Sequence, residues 1–522
     1  MKPVKFIFTI YFLYLSVFVS AQPTLKWSRT INNTRGEFVL IDSAENVFSG
    51  GQLDYSSNSY SIFLSKYDST GSQIWYSEPA FGGNNDMTNM ILDDSSNIYL
   101  SDYSEIYTNP STTNSAALCA KLDSSGDIIW FDKYRKNNST TLNGGNDVLI
   151  EGQSNLWVKG TTQDSADSYT FDLLIKYTLD GQRIFLRTDS LNFGGSAYEF
   201  CTDNSGNIYF AAAYRIGAIT VMKLFKYDSN GIKLWEVADS SSSSYNEVQD
   251  IKFFNSFIYV LKNNRSNYIG SDILKYNTAG QLINSFNYND SLFDLNVKGF
   301  SIASSGNLYI YGDRNNDIFV LKVKADSILG WVKYIDGGMN MTDKCNSASI
   351  DRNENIYLEG IGNWDISNNY SEMFTSKVDS NGSLQWLDLY HEPAWTWATG
   401  NAITLGNQND FYIGGTAYIA GSGAVSILRK YTENDFTIIR ENGINQIKVY
   451  PNPASDFINF YFPNNIEAAN LTISDVAGRL IISEKIFGAQ KSISVSILNN
   501  GIYFYAFKKD HQQSTGKIII QK

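Results

Sequence analysis

A unit of about fifty residues recurs eight times along this chain of 522 residues, and this repeat limits the possible folds more than any other feature. Each unit contains a short apolar run that ends in an aromatic residue and a later run that ends in a lysine. The aromatic residues are Phe48, Tyr99, Trp157, Tyr209, Tyr259, Tyr309, Tyr357 and Tyr412. The lysines are Lys66, Lys121, Lys176, Lys226, Lys275, Lys322, Lys377 and Lys430. A period of this length is typical of solenoids and propellers, so an array of similar units is expected.

Each unit is expected to form four short strands. In the first unit the runs are 37–41, 46–48, 61–67 and 73–76. Asp-Ser-x-Gly separates the last two runs in several units, and it favours a tight hairpin because Asp bonds the turn backbone while Gly adopts a positive φ. The third run is apolar on both faces, as at 318–321, so both faces of each sheet must be covered.

Sheets of this kind that cover one another in a closed ring form an eight-bladed β-propeller, and a seven-bladed ring with one aberrant unit is the alternative. The position nine residues after each lysine is aromatic in six units, the exceptions being Asn284 and Ile439. Residues 25–28, which include Trp27, match a fourth strand that has no preceding three. This segment is a candidate to complete the eighth blade, in competition with 436–439. The fourth and fifth units are expected to be irregular, at 240–244 and at Asn284.

The start of the chain has the pattern of a secretory signal. Lys2 and Lys5 precede an apolar run at 6–19, and small residues lead to Ala21. We therefore expect a signal peptide at 1–21, cleavage after Ala21 and a propeller at 22–440. No later stretch approaches the ~20 apolar residues of a transmembrane helix, so no transmembrane segment is expected.

Composition argues against several classes of site. The formal charge of −12 disfavours nucleic-acid binding through a basic surface. Three widely spaced cysteines define no disulfide framework, and two histidines nearly exclude an imidazole-rich metal centre. We expect no cofactor, no metal and a monomeric protein.

A different pattern begins after a linker at 441–446. Short alternating strands separated by turns predict a small immunoglobulin-like β-sandwich at 447–522. This module opens with Tyr-Pro-Asn-Pro at 450–453, and it contains Asp-x-x-Gly at 475–478 and Leu-x-x-Gly-Ile-Tyr at 498–503. It carries a net charge of +3, whereas residues 22–440 hold 31 basic and 47 acidic residues, a net charge of −16.

The C-terminal module resembles the sorting domain of the type IX secretion system, the Por secretion tail family. The resemblance implies recognition by the type IX machinery, passage through the periplasm and across the outer membrane, and removal by a sortase-like peptidase. Release or attachment to lipopolysaccharide would follow, so the protein is expected to be secreted or at the cell surface. Residues 24–440 resemble secreted bacterial β-propeller repeat proteins, which implies a scaffold and no particular reaction.

Repeated polar residues have both functional and structural interpretations. The eight lysines could form a charged ring in the channel, or each could lie along a blade aromatic with its ammonium near a turn carboxylate such as Asp68 or Asp379. The turn aspartates could ligate calcium, or they could serve only to shape the hairpins. We favour the structural interpretation in both cases.

The aromatic cluster before the eighth unit departs from the repeat. Tyr390, His391, Trp395 and Trp397 stand in a connection between blades, where aromatic rings could stack on a sugar or bind a protein. Trp395 could instead fill the seam between two blades. Catalytic motifs are missing from the sequence, although two carboxylates meeting in the channel could cleave glycosidic bonds. The sequence therefore favours a non-enzymatic scaffold for adhesion, glycan binding or protein binding, with a secreted carbohydrate hydrolase or lyase as the alternative.

Overall fold

The structure is a computed structural model, and its described residues form β-strands and turns without a helix. It describes residues 22–522 apart from 55–59, 110–111, 136–140, 153, 165–168, 192–199, 217–218, 240–245, 267, 291–292, 294, 339–340, 408, 434–447, 476–478 and 510–511. The proposed signal peptide, the linker and the competing segment 436–439 lie outside the described residues. The chain divides into two compact units, residues 1–434 and 435–522.

The first unit contains eight four-stranded antiparallel sheets, each called a blade here. Blade 1 contains β2 to β5, at Thr34–Ile41, Val47–Asp54, Tyr60–Tyr67 and Gln73–Ser77. Blade 2 contains β6 to β9, at Asn84–Leu92, Ile98–Asn109, Thr112–Leu122 and Ile128–Tyr134. Blade 3 contains β10 to β13, at Thr141–Glu151, Asn155–Asp164, Tyr169–Thr178 and Arg183–Leu191. Blade 4 contains β14 to β17, at Phe200–Thr202, Ile208–Ile216, Ile219–Tyr227 and Lys233–Ala238.

The remaining blades repeat this strand order. Blade 5 contains β18 to β21, at Asn246–Phe254, Phe257–Ser266, Tyr268–Asn277 and Leu282–Asn289. Blade 6 contains β22 to β25, at Leu295–Ile302, Leu308–Arg314, Asp317–Val323 and Leu329–Ile335. Blade 7 contains β26 to β29, at Thr342–Ile350, Ile356–Asp365, Tyr370–Val378 and Leu384–Tyr390. Blade 8 contains β30 to β32, at Trp395–Leu405, Asp410–Ile419 and Gly423–Thr432.

The fourth strand of blade 8 comes from the other end of the unit. Strand β1, at Thr24–Asn32, pairs antiparallel with β32, and Trp27 lies opposite Lys430. Six other blades have an aromatic residue nine positions after the repeat lysine, where the eighth unit has Ile439. Trp27 supplies the aromatic residue opposite Lys430 in blade 8. This confirms the prediction that residues 25–28 complete the eighth blade.

The eight blades form a closed ring. The first strand of each blade contacts the first strand of the next, including the contact between β30 and β2. Each seam between neighbouring blades holds its own cluster of buried apolar side chains. In the seam between blades 8 and 1, Trp27 packs with Val39, Tyr67 and Tyr412. Each sheet therefore buries both faces against its neighbours, which confirms the eight-bladed propeller.

The repeated lysine and aromatic residues connect neighbouring blades, as at the seam between blades 1 and 2. Lys66 lies opposite Phe48 on one side and Trp75 on the other, and its Nζ is 4.6 Å from the centroid of the Phe48 ring. The Trp75 Nε1 donates to the Ser124 carbonyl, in the turn of blade 2, at 2.9 Å. The Lys66 Nζ donates to that same carbonyl at 3.5 Å. The lysine and the aromatic residue nine positions later thus bind the same carbonyl of the next blade, which explains their constant spacing.

Five of the lysines also pair with a carboxylate, so they do not form an uncompensated ring of charge. The pairs are Lys66–Asp42, Lys176–Glu151, Lys322–Glu354, Lys377–Glu433 and Lys430–Asp410. Asp68 and Asp379 accept hydrogen bonds from the amides of their own turns. The predicted packing of lysine on the blade aromatic is confirmed, but the carboxylates differ from those named from the sequence.

A turn glycine against a tryptophan ring gives a direct test of these seams. Gly382 has a φ of +86°, and a Cβ at this position would lie 2.8 Å from the Trp331 ring of the preceding blade. Gly382→Ala should lower the free energy of unfolding by about 2–4 kcal/mol, because left-handed strain and overpacking add. Gly421 is the matched control, since its φ is +79° and nothing lies within 4 Å of the methyl group that alanine would add. Urea unfolding should show a loss of only about 1–2 kcal/mol for Gly421→Ala; equal losses would contradict the seam contact.

The second unit is a separate β-module. Its strands are β33 to β37, at Lys448–Tyr450, Phe457–Asp475, Leu480–Ser494, Gly501–Lys509 and Gln512–Ile520. They form one five-stranded sheet, in which the long strand β34 pairs with β33, β35 and β36. Register shifts along β34 let the sheet curl around a core that includes Phe460, Leu471 and Phe507. The predicted all-β character of this module is confirmed.

Candidate functional site

The two faces of the propeller ring differ in their construction. Within each blade, the turn between strands 1 and 2 and the turn between strands 3 and 4 lie on one face, called the hairpin face here. Connections from strand 2 to strand 3, and from each blade to the next, lie on the opposite face, called the loop face. Hairpin turns repeat the same hydrogen bonds, as at Asp42, Asp93 and Asp203. The loop face carries the connections that depart from the repeat, so a specific binding site is expected on this face.

Three of the aromatic residues singled out from the sequence lie together on the loop face, between blades 7 and 8. The ring centroids of Tyr390 and Trp395 are 5.1 Å apart, and those of His391 and Trp395 are 6.0 Å apart. Trp395 is only 8% exposed and belongs to the apolar core of this seam. Burial lowers the pKa of His391, whose ring also packs against Tyr370 at 4.6 Å.

Trp397 lies in β30 of blade 8, near the seam with blade 1. Its ring stacks on Tyr418 with centroids 4.7 Å apart, and the Arg35 guanidinium lies 5.6 Å from the Tyr418 centroid. All three side chains are partly exposed. They form a row of planar groups, called the stacked row here, that joins the eighth blade to the first.

A polar cavity of about 320 Å³ adjoins the stacked row at the seam between blades 1 and 2. Its lining residues come from the starts of the first strands and the ends of the second strands, which meet on the loop face: Arg35, Gln52, Asn84, Asn85, Asp86, Tyr103 and Glu105. Gln52 donates a hydrogen bond to Asp86, and Asn84 donates one to Glu105 at 3.2 Å. The wall thus offers amides, carboxylates, a guanidinium and a phenol to one small volume.

Two carboxyl groups beside this cavity have unusual proton affinity. Burial raises the pKa of Glu37 to about 7, with a further increase from Asp86 and a decrease from Arg35. Asp102 is fully buried, and its Oδ1 accepts the backbone N–H of Asp86 at 3.0 Å. Burial raises the Asp102 pKa to about 8, so this group is largely protonated at neutral pH. The region therefore contains acids that can exchange protons near physiological pH.

A second cavity, of about 470 Å³, opens on the same face between blades 6 and 7. It is lined by Phe293, Asn296, Asp313, Asn315, Thr342, Asp343 and Lys344. Nearby, carboxylate oxygens of Asp317, Asp336 and Asp343 lie within 4.8 Å of one another. Both Asp343 oxygens already accept backbone N–H groups, from Gly337 and Asn363. Asp343, the buried member of this acidic group, is therefore engaged by backbone donors of the loop.

Sequence reasoning did not identify the cavity residues or a ring of β-bulges on the inner strands. In seven first strands, a register shift at the equivalent place leaves a polar residue outside the strand pairing: Glu37, Thr88, Asn146, Gln249, Lys298, Asn346 and Asn401. Asn401 donates to the Gly36 carbonyl of the next blade at 2.7 Å, and Asn346 donates to Gly400 at 2.8 Å. The one sequence signal was a polar residue at the same place in each unit.

Trp395 and Trp397 should respond differently to truncation. Trp395→Ala is expected to lower the free energy of unfolding by about 3–5 kcal/mol, because it empties part of the core between blades 7 and 8. Trp397→Ala should have a smaller effect, since the ring is partly exposed and stacks on one face only. Calorimetry on both single variants checks this difference. A larger loss for Trp397→Ala would show that the stacked row is itself core.

Comparison with protein families identifies the second unit. Residues 448–521 match the family described as the secretion system C-terminal sorting domain. No curated protein matches the chain. Among the described residues, none forms a helix long and apolar enough to cross a membrane.

Solved structures show only a distant likeness. A eukaryotic initiation factor has a TM-score of 0.38 at 7% identity, over 68% of this chain and 88% of its own. Prolyl oligopeptidase B from Galerina marginata has 0.43 at 8% identity, over 77% and 55%. A puromycin hydrolase has 0.44 at 9% identity, over 73% and 58%. The chain thus spans little more than half the length of the two hydrolases, and these scores carry no argument about activity.

The sorting domain decides where the protein goes. Its family match covers the module that the sequence motifs at 450–453 and 498–503 had indicated. The protein is an all-β propeller with a type IX sorting tail, exported by that system to the cell surface or the medium.

Proposed function

We propose that the exported propeller is a non-enzymatic glycan-binding scaffold that acts through its loop face. The observation that supports this most directly is that the two polar cavities described above open on the loop face, where the blade connections depart from the repeat. The hairpin face, by contrast, is built from repeated turns whose polar groups bond one another. A ligand that distinguishes this protein from a generic ring is expected to contact the loop face.

The chemistry of the loop face favours a sugar over a larger partner. Amide, carboxylate and phenol groups line concave sites, and partly exposed aromatic rings flank one of them. Sugars present hydroxyl groups that both donate and accept, together with an apolar face that packs on aromatic rings. The net charge of −16 on residues 22–440 disfavours polyanionic ligands.

A secreted carbohydrate hydrolase or lyase is the second candidate. The observation in its favour is the pKa of about 7 at Glu37, close to Asp86, since a general acid works best with a pKa near the ambient pH. Under this alternative Glu37 would protonate a leaving group, and substitution by glutamine would abolish turnover.

An array of immobilised glycans, probed with the chain of residues 22–522, tests the proposal. We expect saturable binding to a defined set of oligosaccharides, with no shorter product when the bound glycans are recovered and analysed by mass. Release of product, lost in Glu37→Gln, would replace the scaffold by the enzyme. Binding to no glycan would contradict both.

We infer in addition that a sortase-like peptidase removes the tail near the linker at 441–446. The mass of the secreted protein tests this point. We expect a species that ends close to residue 440, and an extracellular protein of full length would contradict the inference.

A further inference from the structure

We propose that the cavity between blades 1 and 2 binds one uncharged sugar unit of a glycan, with the stacked row supporting the adjoining unit. This inference rests on the glycan-binding function proposed above and assigns it a site and a substrate class. The cavity residues and the row come from blades 8, 1 and 2, so the site exists only after the ring has closed.

A buried hydrogen-bond acceptor without a partner points to a ligand in this cavity. Asn85 is 2% exposed, lines the cavity and donates through Nδ2 to the Gly83 carbonyl at 3.1 Å. Its Oδ1 is buried and has no hydrogen-bond partner among the described residues. Leaving such an acceptor unpaired is unfavourable, and a hydrogen bond donated by a ligand hydroxyl group would remove that penalty.

The rest of the wall selects the class of ligand. Arg35, Gln52 and Asn84 carry donors, whereas Asp86 and Glu105 carry acceptors. A row of vicinal hydroxyl groups satisfies both kinds, because each hydroxyl donates once and accepts as well. An acidic sugar would bring its carboxylate close to Asp86 and Glu105, and Arg35 is the one basic residue among the described residues that line the cavity. An uncharged sugar is therefore favoured.

A metal ion is a poorer match for these residues. Within the described part of the chain, the acidic group whose oxygen atoms converge closely enough to hold an ion is at Asp317, Asp336 and Asp343, away from this cavity. The guanidinium of Arg35 would also repel a cation. Asp86 accepts a hydrogen bond from the Gln52 amide, and Glu105 accepts one from the Asn84 amide. Both carboxylates therefore act as hydrogen-bond acceptors in this wall.

The size of the cavity and its surroundings limit the ligand further. A volume of about 320 Å³ is at the lower end of the ~300–1,000 Å³ found for small-molecule sites, so it suits a single sugar unit. Tyr103 in the wall and Trp397 in the stacked row are partly exposed rings on which the apolar sides of sugars can pack. A glycan longer than one unit can thus continue from the cavity onto the row.

Titration calorimetry with the uncharged oligosaccharide that gives the strongest array signal tests this site. Asn85→Val removes the unpaired acceptor at similar volume, and Tyr103→Ala removes a ring that is only partly buried, which guards against a variant that fails to fold. Each is expected to weaken binding at least tenfold, and Trp397→Ala is expected to weaken it for a disaccharide more than for a methyl monoglycoside. Asn381→Val, an exposed change on the hairpin face, is the matched control and should leave the Kd within twofold.

The outcomes separate the site from the function. Unchanged affinity in both Asn85→Val and Tyr103→Ala, in a chain that still binds glycans, overturns the site and leaves the proposed function standing. Equal or tighter binding of the corresponding uronic acid overturns the substrate class. A wild-type chain that binds no glycan overturns the site and the function together.

Discussion

Trp27→Ala is expected to lower the free energy of unfolding of the propeller by about 3–5 kcal/mol, the range for removal of a large buried side chain. Trp27 is 8% exposed and lies between Tyr67 and Tyr412, with ring centroids 6.3 and 6.1 Å away. Its Nε1 donates to the Ser69 carbonyl of blade 1 at 3.2 Å. The substitution therefore weakens both the fourth strand of blade 8 and the seam where the ring closes.

Leu25→Ala is the matched control, because Leu25 lies in the same strand but is 42% exposed. The stability of both variants is measured by urea or heat unfolding, monitored by far-ultraviolet circular dichroism so that the signal does not depend on the removed tryptophan. We expect a change below about 1 kcal/mol for Leu25→Ala, as is usual for exposed positions. If Trp27→Ala were equally mild, another segment such as 436–439 would have to close the ring.

Asp102→Asn should make the protein more stable at pH 8.5 and leave its stability nearly unchanged near pH 4. Burial raises the pKa of Asp102 to about 8, whereas an unfolded aspartate titrates near 4. The folded state thus holds a proton that the unfolded state releases. The contribution of Asp102 to the free energy of unfolding is therefore fully present below about pH 4 and is lost as the pH rises through about 8. Asparagine does not ionise in this pH range, and its Oδ1 can still accept the hydrogen bond from the Asp86 N–H. The gain at pH 8.5 should be roughly a few kcal/mol.

Asp203→Asn provides a control of opposite sign. Burial alone would raise the pKa of Asp203, but hydrogen bonds from Asn207, Tyr209 and the turn backbone lower it below the usual value. Its stabilising effect is present above about pH 4 and is lost as the pH falls through the lowered pKa. Asp203→Asn should therefore destabilise at neutral pH, and the deficit should shrink in acid. Denaturant midpoints between pH 3 and 9 distinguish the two variants, and parallel curves would contradict the burial of a protonated Asp102.

Local patterns in the sequence determined the blade architecture. Strand runs that alternate with Asp-x-x-Gly turns need no distant information, because the turn residues and the apolar period act within ten residues of chain. Eight copies of that pattern predicted eight sheets, and the orphan strand at Trp27 predicted the closure. Motifs of the second unit, at 450–453 and 498–503, likewise predicted export. These features were predictable because each is encoded in contiguous residues or repeated many times.

Only the tertiary structure decided which residues meet across the seams. The sequence placed Lys66 and Trp75 nine residues apart, but their shared partner is the Ser124 carbonyl of the next blade. It singled out Trp395 and Trp397 together, yet one is buried in a seam and the other joins Tyr418 and Arg35. The cavity with Asn85 draws on two blades, and the raised pKa values of Glu37 and Asp102 arise from burial. Such contacts depend on ring closure and on the register of each sheet, which bring together side chains that no local pattern connects.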